Sequence, residues 1–233
     1  MDSGKQSWRV AWTEEALRLN ARYTSEVIEA FDLCPWAKTA RKAGRIMRHV
    51  QLQDELGDAA LAESHEAVEA LAAHPDWEIG FVIFPRIDQS EPKIFRDYVS
   101  ALQRTHVDRY ERGKAPIVMA AFHPNAELNM DSPAQLVSYL RRSPDPTIQL
   151  VKNEVLAKVV KGPPSGSVFA SSLAELMKIQ AEEPKLNTSE RIAQTNLERV
   201  QQEGPSVLEE ILEDIAADRR RSYEGLRRPP PSA

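Results

Sequence analysis

Cys34 is followed directly by Pro35, and the pair is the most chemically suggestive point in the sequence. Proline fits the first position of a helix, where its missing N–H costs nothing. A helix opening at Pro35 sets Cys34 at its N-terminus, where free amides and the helix dipole stabilise a thiolate. Lys38, Arg41 and Lys42 add positive charge nearby. A thiolate is a nucleophile, a redox centre or a metal ligand. The plain alternative is a small buried hydrophobe, the usual state of a free cysteine.

His123 stands at the end of the apolar run Ile117–Phe122, just before Pro124. In α/β sheets, ligands collect beyond the carboxyl ends of strands. An imidazole there can act as general base, metal ligand or pH switch, or can simply bond to loop backbone. Arg142 and Ser143 follow Arg141 in the segment Arg141-Arg142-Ser143-Pro144-Asp145-Pro146. Paired guanidinium groups can hold a carboxylate or phosphate, although cations at a helix end are favourable in themselves. His106 falls on the buried stripe of its helix and reads as structural. Glycine-rich phosphate loops, paired CxxC spacings and HExxH are absent, so the sequence carries no nucleotide motif and no metal motif.

These residues need elements to position them. Ala16, Leu19, Tyr23, Val27 and Phe31 recur at helical spacing, which predicts a helix over about 13–32 with Thr13 as its N-cap and residues 1–12 as an arm. Strands are expected at 46–52, 79–84, 117–122 and 147–151, the second and third as central strands covered on both faces. Helices are expected at 58–73, 92–112 and 133–142. In the middle one, Phe95, Tyr98, Val99, Leu102 and Tyr110 form the buried stripe.

Alternation of this kind predicts an α/β fold: a parallel or mixed sheet of three to four strands with flanking helices. The core domain is assigned to residues 1–160. Residues 161–233 are read as a proline-glycine linker at 162–167, then a helical C-terminal extension of three helices with a disordered end from Arg227. Ser206 and Glu209 make a capping box for the last helix, whose stripe is Leu208, Ile211, Leu212 and Ile215.

Composition narrows the function classes. The chain has 233 residues, 42% hydrophobic and 28% charged, which is ordinary for a globular protein. A formal net charge of -5 argues against a general nucleic-acid binder. A single cysteine excludes an internal disulfide. No apolar run approaches the roughly 20 residues that cross a bilayer, and the opening segment lacks a signal-peptide core. The expectation is a cytoplasmic protein with no membrane span.

Cys34-Pro35-Trp36-Ala37, Phe122-His123-Pro124 and Arg142-Ser143-Pro144-Asp145-Pro146 occur in this order. Together they resemble the CPF-A-like, FHP and RSP-x-P-like segments of the bacterial DUF1415 family. The resemblance covers roughly residues 15–160. Trp36 stands where that family usually has phenylalanine, Asp145 where an aromatic is common, and Gln149 where histidine is frequent. The resemblance implies no established activity and points to the same three segments.

Three functional readings follow. The first is a small-molecule enzyme with Cys34 as nucleophile or redox thiol, His123 as acid/base, and Arg142, Ser143 and Lys38 binding an anionic substrate. The second is a haem- or metal-binding protein with Cys34 and a histidine as axial ligands. The third is an interaction module that forms a homo-oligomer through its C-terminal helices.

Overall fold

A computed structural model describes residues 3–31, 33–87, 91–111, 114–126, 141–156 and 204–227. Four strands form one mixed sheet: β1 (Ile46–Val50), β2 (Ile79–Ile83), β3 (Ile117–Phe122) and β4 (Thr147–Lys152). Their order is β1-β2-β4-β3. β1 and β2 are parallel, and β4 runs antiparallel to both β2 and β3. β3 therefore points the same way as β1 and β2, with β4 inserted between. The carboxyl ends of three strands share one edge of the sheet with the entry to β4.

Helix α3 (Asp58–Ala73) joins β1 to β2, and α4 (Pro92–Val107) joins β2 to β3. Both crossovers advance in one direction along the sheet, so a constant hand lays both helices on the same face. There Ala67, Val68 and Leu71 of α3 and Phe95, Val99 and Leu102 of α4 pack on Met47, Val82, Ile148 and Leu150. Gly80 of β2 permits this approach. A Cβ at Gly80 would lie 2.9 Å from Met47 Cε, 3.1 Å from Leu71 Cδ2 and 3.3 Å from Leu150 Cβ.

The opposite face is covered by α1 (Ser3–Tyr23), a π-helical segment (Thr24–Glu29), α2 (Pro35–Lys42) and the C-terminal helix α5 (Pro205–Arg227). The expected stripe is realised, since Ala16, Leu19, Tyr23, Val27 and Phe31 are all buried. Leu208, Leu212 and Ile215 of α5 complete this layer with Phe122. Burying such side chains stabilises the fold by about 1.5–3 kcal/mol each.

Several expectations change. Residues from Ser3 onward are helical, so Thr13 lies inside α1 rather than capping it. The reason is long-range: Trp12 stacks on Tyr223 with ring centroids 4.6 Å apart, and Trp8 packs beside it. The helix then widens to π geometry, with Ala30 N–H bonding Ser25 O. α4 ends at Val107, leaving Tyr110 in the following turn and His106 on the buried stripe. α5 begins at Pro205, so Ser206 stands within its first turn and Glu209 is paired elsewhere.

The apolar stripe of α5 packs on its own domain through Leu208, Leu212 and Ile215. Among the described residues, no helix is long and apolar enough to cross a membrane. Residues 133–140 of the helix expected at 133–142, the linker at 162–167, the two helices after it and the end beyond Arg227 lie outside the described residues. Arg141 and Arg142 are in irregular structure before β4.

Candidate functional site

The site begins at the turn into α2. Cys34 is the N-cap, in extended conformation at φ -144 and ψ 97, and Pro35 opens the helix as expected. Cys34 is 5% exposed. The π-helical segment before it turns Thr24 and Ile28 toward the same space. π-bulges recur at functional sites because they re-aim side chains out of α register. Asn20, Tyr23, Thr24, Ile28, Cys34 and Ala37 form the helical wall of a small cavity. The sheet supplies the floor: Ile46, Ile79, Phe81, Phe122, Thr147 and Gln149, with Ser143 at the edge.

The cavity is tight, at about 20 Å³, which is room for one or two water-sized centres. Its polar lining is deeply buried: Asn20, Thr24, Ser143, Thr147 and Gln149 are all under 5% exposed. Most of these groups are satisfied within the fold. Thr24 Oγ1 donates to Asn20 O at 2.8 Å. Ser143 Oγ and Thr147 Oγ1 both donate to Asp145 O, at 2.5 and 2.8 Å. Asn20 Oδ1 accepts from Arg48 Nε at 2.8 Å. Burial holds Arg48 below its ordinary pKa, and that of Tyr23 is pushed up for the same reason.

His123 is not part of this cavity. Along β3, Ala120 and Phe122 face the α1–α5 layer, while Ile117, Met119 and Ala121 face α3 and α4. His123 continues the second series, its ring 5.9 Å from Phe95 of α4. Its Nδ1 accepts from Asn125 N–H at 3.2 Å and its backbone N–H donates to Arg141 O at 2.9 Å. The imidazole thus braces the loop after β3. Cys34 and His123 stand in different layers of the molecule, and the structure does not bring them together.

Lys38 is exposed on α2 and does not line the cavity. Its charge and that of Lys42 act on Glu29, which Arg41 binds at 2.6 and 2.8 Å. The cations expected to serve Cys34 therefore act on a neighbouring carboxylate. Among the described residues, no group of three or more His, Cys, Asp or Glu side chains is arranged to hold a metal ion.

Arg142 and Ser143 lie elsewhere in the same neighbourhood. A cleft of about 450 Å³ opens at the edge where β3 ends and β4 begins. Pro124 and Asn125 form one side, Arg142, Ser143 and Pro144 a second, and Leu212, Glu213, Ala216, Arg219 and Arg220 of α5 the third. Arg142 is held by Glu209 of α5 at 2.7 Å. Arg219 is held by buried Asp145 at 2.7 Å and by Pro85 O at 3.1 Å. Arg220 is exposed and forms no ion pair with any described residue. Arg141, behind the cleft, has its guanidinium 5.8 Å from the Phe122 ring, and withdrawal from water lowers its pKa to about 10. Among the described residues, Ser143 alone lines both cleft and cavity.

The family model for proteins of unknown function designated DUF1415 matches residues 16–185. The chain belongs to the DUF1415 family. No curated protein and no solved structure matches it. The match runs past residue 160, so the family pattern continues into the segment read from sequence as a linker and extension. In this DUF1415 chain, Asp145 and Gln149 both have structural work. Asp145 anchors α5, accepting from Tyr223 Oη at 2.9 Å as well as from Arg219. Gln149 faces the Cys34 cavity.

Sequence reasoning missed Arg219 and Arg220, which reach the site from α5, and read Glu209 as a helix cap where it instead pairs with Arg142. Their only signal was helical spacing, with Leu212, Ala216 and Arg219 on one side of α5. That pattern does not say where the helix docks.

Proposed function

We propose that this DUF1415 protein binds a small anionic molecule, bearing a carboxylate or a phosphate, in the cleft between α5 and the loops flanking β3 and β4. The observation that carries this reading is the cleft's construction. Two of the three sequence segments singled out for chemistry meet there at the carboxyl edge of the sheet, where α/β proteins collect ligands. The volume lies within the roughly 300–1,000 Å³ typical of small-molecule sites. Arg220 supplies an open cation, and Arg142 supplies a guanidinium fixed in place by Glu209. Asn125 adds a neutral hydrogen-bonding side chain.

The reading is of a binding site and assigns no reaction. A Cys34–His123 mechanism needs both groups at one reacting atom, and they occupy different layers. The test is titration of the full chain with citrate, inorganic phosphate and glucose 6-phosphate, followed by calorimetry and by NMR shifts. The expected result is saturable binding of at least one probe, with shifts at Asn125, Ser143 and Ala216. Arg220→Gln should weaken it about tenfold or more, the worth of one charge-assisted hydrogen bond. Saturable binding that survives Arg220→Gln unchanged, or no binding of any probe, would overturn the proposal.

A further inference from the structure

We infer that the narrow cavity beside Cys34 is an oxidation site that admits hydrogen peroxide and converts the Cys34 thiol to a sulfenic acid. This inference is independent of what the cleft binds.

Two observations carry it beyond the presence of a cysteine. The first is size. Space for one or two water-sized centres accommodates the two oxygen atoms of peroxide and excludes larger oxidants and thiols. The second is the lining. Gln149 is 3% exposed, lines the cavity, and its side-chain amide makes no hydrogen bond to any described residue. Asn20 is equally buried; its Oδ1 is taken by Arg48, and its Nδ2 makes no hydrogen bond to any described residue. A buried amide without a protein partner is stabilised by a small polar guest that accepts its hydrogen bond. These two amides can serve a polar guest of water size in the cavity that Cys34 also lines. Ser143 lines both this cavity and the cleft.

The chemistry balances with peroxide as the only co-reactant. The sulfur of Cys34 attacks one peroxide oxygen, the S–O bond forms and the O–O bond breaks. The departing oxygen takes the thiol proton and leaves as water, so sulfur is oxidised and peroxide reduced. Gln149 and Asn20, whose side-chain amides carry N–H donors, line the cavity together with Cys34. The chain has no other cysteine, so no internal disulfide resolves the product. The narrowness of the cavity keeps bulky thiols away from it.

The single cysteine makes the test clean. The folded full chain is exposed to hydrogen peroxide and quenched with catalase. It is then denatured in the presence of dimedone, and the remaining thiol is titrated with Ellman's reagent. The native chain is also treated with Ellman's reagent directly, and both reactions are repeated on denatured chain. The expected result is a dimedone adduct on Cys34. The native-to-denatured rate ratio should be at least tenfold higher for peroxide than for the bulky reagent. Gln149→Leu, with folding checked by circular dichroism, should slow native peroxide consumption severalfold. Equal ratios for the two reagents, absence of the adduct, or a folded Gln149→Leu chain that reacts at the parent rate would each overturn the inference. If Gln149→Leu does not fold, the reagent ratio of the parent chain decides alone.

Discussion

Tyr223→Phe isolates one buried bond that fastens the C-terminal helix to the sheet. Tyr223 is 2% exposed, and its hydroxyl donates to Asp145 Oδ2 at 2.9 Å. Burial and the adjacent Asp145 carboxylate push the Tyr223 pKa well above the usual phenol range, so the hydroxyl stays a donor at neutral pH. Phenylalanine keeps the ring and its 4.6 Å stack on Trp12, so packing is conserved and one hydrogen bond is removed. A bond to a charged acceptor contributes about 1.5–3 kcal/mol. Asp145 retains Arg219 at 2.7 Å, which places the expected loss toward the lower end of that range. Asp145→Ala removes both bonds and strands Arg219, whose side chain is 11% exposed, at a cost of about 3–5 kcal/mol. Urea unfolding followed by tryptophan fluorescence reads both, because Trp12 stacks on the residue being changed. With a urea slope of about 1–3 kcal/mol/M, Tyr223→Phe should lower the midpoint by roughly 1 M. The reasoning fails if Tyr223→Phe stays within about 0.5 kcal/mol of the parent chain, the usual error of such comparisons. It also fails if Asp145→Ala costs no more than Tyr223→Phe.

Two further predictions concern the other face. Gly80→Ala should destabilise the fold by about 1–3 kcal/mol, because the new methyl meets Met47, Leu71 and Leu150; an unchanged thermal midpoint would count against this packing. His106 is fully buried, and burial holds its pKa below the ordinary 6.5; nearby His65 is lowered for the same reason. The folded state then binds these protons less readily than the unfolded state, so stability is full above about pH 6.5 and falls as pH drops below it. His106→Leu should flatten that slope in thermal midpoints measured from pH 5 to 8, and parallel slopes in the two chains would exclude the assignment.

Much of the fold was legible because it is written in short-range pattern. The apolar run at 79–84 gives a central strand and the stripe from Ala16 to Phe31 gives the face of the first helix, whereas the run at 117–122, expected to be central, forms the edge strand β3 because β4 inserts between it and β2. Pro35 announced both the start of α2 and the N-cap position of Cys34. The pairing of Cys34 with His123 was the error, and the strand itself held the warning. Side chains alternate along β3, so Phe122 and His123 point to opposite faces. Since Phe122 packs in the layer of Cys34, the next residue does not. What no local pattern carries is a partner two hundred residues away. The helical start at Ser3 depends on Trp12 meeting Tyr223, and the cleft depends on where α5 comes to rest.

The short segment from Ser143 to Thr147 joins these features into one mechanical unit. The carbonyl of Asp145 accepts from both Ser143 and Thr147, while its carboxylate holds Arg219 and Tyr223 of α5. Ser143 and Thr147 line the Cys34 cavity, and Ser143 also lines the cleft. Release of α5 therefore opens the third wall of the cleft and loosens the edge of the cavity at once. The substitutions proposed above separate these consequences. Arg220→Gln alters the cleft at an exposed side chain and leaves the Asp145 anchor intact, so peroxide consumption at Cys34 should stay at the parent rate. Tyr223→Phe weakens the anchor itself. It should raise the reaction of native Cys34 with bulky thiol reagents in step with the fraction of chains in which α5 has come away.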